Sequence, residues 1–404
     1  MFKRLAAIGF IYICTAVAWC ILGTTIFART YNAGPGLRQK VSSAWGNPHM
    51  QLAPTANFVR AEQQPLHPLP LESSRVRVGF DLEPRQKGLL WYSTYKVAFA
   101  GTYVFRNTAE NDEPVTFTLS FPVSQAVYDD VEFLIDGAPV AVSNNGAAAT
   151  ATVPVGAGKS ATLRVGYRSQ GLDSWRYSFG AGVSQIRDFA LVMSTNFAGI
   201  DFPESTLSPT SKRETPNGWE LTWTYRNLIS GFQIGMEMPQ KLQPGPLAGQ
   251  ISYFAPVSLL FFFFLMFIIT TLRGIELHPM NYFFLACAFF SFHLLLAYLA
   301  DHIQIHAAFL ICSAVSIALV VSYLRLVVGL RFALVEAALS QLIYLVLFSY
   351  AFFLKGVTGL AISIGSILTL FVVMQMTGRI RWAERFARPP APAYPGPNPR
   401  SALE

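Results

Sequence analysis

ISYFAPVSLLFFFFLMFIITTL, residues 251–272, decides the architecture. It holds no charge over its whole length, and Arg273 closes it. A helix that crosses a hydrocarbon core needs about 20 such residues. Four apolar runs of similar length follow. They are 280–300, ended by Asp301; 307–324, ended by Arg325; 332–354, between Arg331 and Lys355; and 357–377, followed by Arg379, Arg381, Arg385 and Arg388. One run precedes them, 5–27, after Lys3 and Arg4. It exceeds the ~7–15 apolar residues of a signal-peptide core, so an uncleaved anchor is expected, with cleavage near Ala28 as the alternative.

The whole composition agrees. Of 404 residues 52% are hydrophobic and only 13% charged, about half the ~25% usual for soluble domains. A disordered chain is thereby excluded. The net charge is +7, yet residues 31–250 carry 18 Lys and Arg against 18 Asp and Glu. The basic excess therefore flanks the apolar runs. That is the positive-inside pattern of a membrane protein, and no nucleic-acid partner is expected. Six spans with both termini inside put Arg273, Arg325, Arg331 and the arginine-rich tail on the cytoplasmic side. The short outer turns then hold Asp301, His302, His306 and Lys355. Residues 31–250 fall outside, in the periplasm of a Gram-negative cell. The expected location is the bacterial inner membrane, with the lipid bilayer as first partner.

Cys14, Cys20, Cys287 and Cys312 all lie in apolar runs, which excludes a disulfide framework in the outer region. No CxxC or Cys/His spacing suits zinc, and no cofactor is expected. Residues 31–74 look irregular, with prolines clustered in QQPLHPLP (63–70), and read as a tether. From Arg75 the chain turns β-like, with alternation in 75–83, 96–107 and 115–123 and an Asp136-Gly137 hairpin signal within 131–140. Residues 149–155 and 160–168 are joined by a turn at 156–159, and further strands are expected at 189–194, 219–225 and 232–238. Short strands at close intervals point to an antiparallel β-sandwich-like domain.

This domain has no GxSxG, HExxH or phosphate-binding glycine loop. Asp129-Asp130 is read as a solvated turn or a partner for a nearby arginine, with calcium or acid/base chemistry as the sharper alternative. Trp175, Tyr177, Phe179, Trp219, Trp223 and Tyr225 are read as core, with a carbohydrate-stacking face as the alternative.

The membrane half resembles a known family. LHPMNYFFLACAFFSFHLLLAYLADHI (277–303), YFAPVSLLFFFF (253–264), QLIYLVLF (341–348), SIGSILTLFVVM (363–374) and RIRW (379–382) are similar to the CreD family, inner-membrane "cell envelope integrity" proteins. The resemblance implies one anchor, a large periplasmic β-rich domain and five closing spans. It implies an envelope-related role without an agreed biochemical activity; separately, the lack of a catalytic motif leads to the expectation of no enzyme. Family members often carry an acidic pair before the last span. Thr358-Gly359 stands there instead, so no role for that pair carries over.

Ionisable groups at membrane depth are costly and mark functional candidates. His278, beside Pro279, reads as a helix cap. His293 lies inside the third span and is expected to bond a neighbouring helix, with a relay role as the alternative. Asp301 and His302 match the acidic-His pair of the resemblance. His302 and His306 stand four apart and could share a helical face. Asp301, His302 and His306 are read as fixing the turn or docking the β-domain, ahead of a metal site. Glu336 is expected to snorkel near Arg331.

The expected organisation is a transmembrane anchor (1–30), a Pro-rich tether (31–74), a periplasmic β-rich domain (75–250), a five-span bundle (251–382) and a disordered Pro-rich cytoplasmic tail (383–404). The expected function is support of envelope integrity or the stress response, through a periplasmic protein, lipid or glycan bound by the β-domain. The alternative is a transporter or intramembrane enzyme using the bundle's polar residues.

Overall fold

The computed structural model describes residues 2–59, 66–88, 90–124, 126–180, 182–354 and 356–378. The expected tail, its arginines, Lys355 and the start of the proline cluster (63–65) lie outside the described residues. Contacts divide the chain into two compact units. One comprises Met1–Ala28 and the chain from Pro244, the other Arg29–Gln243.

The helical unit holds the apolar runs. Six helices are long and apolar enough to cross a membrane: α1 (Phe2–Trp45), α2 (Pro244–Arg273), α3 (Pro279–Leu299), α4 (Ile305–Val327), α5 (Leu330–Phe353) and α6 (Thr358–Thr377). Helix suits these segments because lipid offers backbone groups no partner. Gly274 and Gly329 take positive φ (69° and 127°) between helices, where side chains are disfavoured. The phenylalanine run is sorted by helical geometry, with Phe262 and Phe263 buried and Phe264 exposed. They join Leu259, Leu285, Phe289 and Phe292 inside the bundle.

Two helices depart from regular packing. α5 contains π turns at Ala333–Ala337 and Leu342–Leu347 and ends in a 3-10 turn, Ala351–Phe353. In α6 only Thr369 and Val373 are buried.

In the other unit an eight-stranded sheet runs in the order Ala138–Pro139, Tyr128–Ile135, Ser160–Leu172, Thr94–Arg106, Leu71–Leu82, Ser184–Thr195, Gly218–Ser230, Ser211–Thr215. A five-stranded sheet includes Glu113–Ser120 and Ala148–Val155, and a three-stranded one is centred on Ser174–Ser178. Side chains from all three sheets form one core. Alternation does the sorting: Val76, Val78 and Phe80 are buried, whereas Arg75 and Arg77 between them are exposed. The hairpin at Asp136-Gly137 is present, with φ of 49° and 80°, the left-handed pair of a tight two-residue turn.

One expectation holds with two exceptions, and another needs correction. Pairing is mostly antiparallel, but Leu71–Leu82 pairs parallel with Ser184–Thr195, and His49–Leu52 pairs parallel with Ser174–Ser178. The region read as an irregular tether also holds regular structure. Residues 31–45 are the last part of α1, and strands begin at His49. Val41 is buried with Tyr92 and Leu172, and Leu37, Trp45 and Leu90 pack around them. The Arg85 guanidinium lies 3.2 Å above the Trp45 ring, and Arg38 meets Asp173 at 2.5 Å. These contacts outweigh the helix-breaking signal of Gly34-Pro35-Gly36. Gly46, at φ 113°, ends the helix where a Cβ would lie 2.1 Å from the Gln170 carbonyl oxygen.

Candidate functional site

His278 is the N-cap of α3, and its Nδ1 accepts from the Met280 amide at 3.2 Å. Pro279 follows in the first turn, where a missing amide costs nothing. The capping role expected from the sequence is what the geometry shows.

His293 is completely buried. Its Nδ1 lies 3.1 Å from the Phe289 carbonyl oxygen, one turn back on α3. Trp19 of α1 meets the imidazole edge to face at 5.6 Å. Neither His293 Nε2 nor Trp19 Nε1 has a hydrogen-bond partner among the described residues. The expected bond to a neighbouring helix is thus an aromatic contact with α1.

Asp301 and His302 sit in the turn after α3, their amides bonded to the Tyr298 and Leu299 carbonyls at 3.3 and 3.0 Å. α4 begins only at Ile305, so His302 and His306 do not share a helical face. His306 instead lies against the Phe353 ring at 5.0 Å. Among the described residues no three His, Cys, Asp or Glu side chains gather to hold a metal.

Glu336 does not pair with Arg331. It lies in the first π turn of α5 and forms an ion pair with Arg273, at the end of α2. Its side chain is only 10% exposed, against 49% for Arg273. Burying a carboxylate is costly unless a charge partner compensates, and Arg273 supplies one. The local spacing pointed to Arg331, whereas tertiary packing supplies a residue far away in sequence.

The bundle contains a polar set that sequence reading did not single out. Gln341, fully buried between the two π turns, donates from Nε2 to Ser316 Oγ at 2.7 Å. Ser316 Oγ donates in turn to the Ala288 carbonyl at 2.6 Å, which links α5, α4 and α3. Ser258 of α2 bonds the Tyr344 carbonyl within the second π turn. π turns interrupt the regular ladder and free such carbonyls for side chains. The Tyr344 hydroxyl bonds Thr369 Oγ1 at 3.0 Å, tying α5 to α6. The available signal was simple: Gln341 is an uncharged polar residue in the middle of an apolar run.

In the β-unit the Asp129-Asp130 pair serves charge balance. Asp130 takes φ 50° and binds Arg168 at 2.9 Å, beside a register shift between Gly166 and Arg168. Trp175, Tyr177 and Trp223 are fully buried, with Phe179, Trp219 and Tyr225 packed around the same core. The aromatic set is core and not a stacking face. His49 is also buried, and burial lowers its pKa to about 4, with the Gln170 backbone pulling the other way.

The outward face of the eight-stranded sheet carries an open furrow. In register across neighbouring strands, one row reads Ser194, Gly79, Ala98, Arg168. The next reads Val192, Arg77, Ala100, Gly166, and the one beyond it Ala190, Arg75, Thr102, Arg164. A row on the other side joins Asp81, Lys96 and Gln170. Small side chains thus floor the centre. Two hollows result, of about 690 Å³ around Gly79 and Ala98 and about 430 Å³ around Ala100 and Ala190.

The fold and these sites define a multi-pass membrane protein of the α+β class. Residues 247–383, which hold the five closing spans, match the family model described as "Inner membrane protein CreD". The match does not reach the β-unit. No curated protein matches the chain. Among solved structures the chain is similar to a Legionella pneumophila protein described as nutrient-binding, at 11% identity and TM-score 0.35, over 54% of this chain and 76% of that one. It is also similar to an M1 zinc metallopeptidase from Deinococcus radiodurans, at 14% identity and TM-score 0.25, over 41% of this chain and 42% of that one. At such TM-scores neither likeness bears on activity.

Proposed function

We propose that the chain supports envelope integrity or the envelope-stress response from the inner membrane. In this reading the β-unit faces the periplasm and binds a protein, lipid or glycan there. The bundle anchors it or relays its state. The observation that carries the reading is the β-unit itself. It closes a large core of its own and leaves an open furrow on its outward face, rimmed by charged and amide side chains. The helix-end charges support the orientation, since Arg4, Arg273, Arg325 and Arg331 gather at alternate ends from Asp301 and His302 along the spans. The test is detergent and β-lactam resistance of a deletion strain, complemented with the full chain or with furrow variants, together with whole-cell crosslinking from the β-unit. Wild-type resistance in the deletion strain and no crosslinked partner would sink the reading.

A second reading, transporter or intramembrane enzyme, rests on the buried Glu336 and Gln341 beside the π turns. It expects water-accessible cysteines at positions lining Gln341, labelled from both sides of the membrane. Complete protection at all of them would end it.

A further inference from the structure

We propose that the furrow on the outward face of the eight-stranded sheet is a binding site for a glycan chain bearing carboxylates. This rests on the envelope reading above and names the ligand class.

The dimensions come from the strands. The four rows from Asp81 to Arg75 are two residues apart along each strand, so the furrow extends about 20 Å. Its floor is Gly79, Ala98, Ala100 and Ala190, which leaves space for flat rings to settle between taller walls.

The two ends differ in chemistry. The hollow around Gly79 is walled by Asp81, Gln170, Asn196 and Asn217, with Lys96 and Arg168. Fixed amides and carboxylates offer donors and acceptors side by side, which suits neighbouring hydroxyls. The hollow around Ala100 is lined by Arg75, Arg77 and Arg164 and by no acidic residue. Arg75 is held by Asp188 at 2.7 Å and Arg164 by Glu132 at 3.3 Å, whereas Arg77 has no acidic partner among the described residues. A planar guanidinium fork matches a carboxylate with two parallel bonds. Charge complementarity therefore selects an anionic group at this end and hydroxyls at the other.

Other occupants fit less well. An acyl chain would lie against Arg75, Arg77 and Arg164 and pair with none of them. The furrow crosses a sheet face whose backbone groups are already paired, so strand addition by a peptide is closed.

The test uses the full chain in nanodiscs, titrated with a fluorescent galacturonate oligomer. A neutral maltohexaose and an oligoglutamate peptide are the comparators. The galacturonate oligomer is expected to bind, with affinity falling as salt rises, and to outbind both comparators at least tenfold. Ala98→Trp fills the floor from an exposed position, and Arg77→Gln removes the free guanidinium. Each is expected to weaken binding about tenfold or more while leaving thermal unfolding unchanged. No binding by wild type, equal binding by Arg77→Gln, or tighter binding of oligoglutamate overturns the proposal. The titration needs no cellular phenotype. Its failure would leave the envelope reading intact, and a silent deletion strain would leave a measured glycan site intact.

Discussion

The β-unit and the bundle separate polar from apolar in opposite senses. In the β-unit every second residue faces out, so Arg75 and Arg77 are exposed while Val76 and Val78 are buried. In the bundle the outward surface is as apolar as the core, because lipid is the solvent. There Leu310, Ile367 and Leu368 are exposed, while Gln341, Ser316 and His293 are buried. Polar side chains thus mark the outside of one unit and the inside of the other. A substitution should be felt accordingly: apolar losses in the β-unit, polar losses in the bundle.

The largest effect is expected at Trp223, fully buried with Nε1 donating to the Leu207 carbonyl at 2.8 Å. Trp223→Ala should cost about 3–5 kcal/mol. Limited proteolysis of the full chain should then cut the β-unit while the bundle stays resistant. Equal loss in both units would show that they unfold as one and would break the comparison.

His49 sharpens it with pH. In the unfolded chain an imidazole titrates near ~6.5, whereas in the folded β-unit burial holds it at about 4. Between those values the unfolded chain binds the extra proton. Stability of the β-unit is therefore full above about pH 6.5 and falls as pH drops toward 4, by about 3 kcal/mol in all. His49→Phe, which keeps a ring against Tyr95, should remove this slope in unfolding followed between those pH values. An unchanged slope would assign it to other groups.

In the bundle the counterpart is Glu336. Glu336→Ala leaves Arg273 half-buried without its carboxylate and should cost about 1–2 kcal/mol, discounted from the ~3–5 of a fully buried pair because Arg273 is half exposed. The exchanged pair Arg273→Glu with Glu336→Arg should recover part of that loss in thermal unfolding. No recovery would mean that the carboxylate serves something other than the pair.

What the sequence revealed follows the same division. Alternation and Asp136-Gly137 made the β-strands and a hairpin legible, because those signals are local. Apolar length and terminal charges made the spans legible. The end of α1 was not read, although Leu37, Val41 and Trp45 stand at helical spacing, because Gly34-Pro35-Gly36 looked like a break. Only the surface formed by Tyr92 and Leu172 makes that helix worth continuing. The partner of Glu336 was missed for the same reason. A contact between residues 273 and 336 has no local trace, and a nearby arginine stood in its place. The furrow needs the register of four strands at once, two of them paired in parallel.

The smallest expected effect tests how polar groups hold the bundle together. Tyr344 and Thr369 join α5 to α6 through one hydroxyl pair, and α6 buries little else. Thr369→Val keeps the shape and removes the bond, and hydrogen bonds between membrane helices average about 0.6 kcal/mol. Phe371, more than half exposed on the same helix, should change nothing measurable when replaced by Ala. In detergent unfolding the order should be Thr369→Val above Phe371→Ala, despite the far larger apolar loss at Phe371. The reverse order would mean that α6 is held by an apolar surface, and the rule that distinguishes the bundle from the β-unit would fail at its last helix.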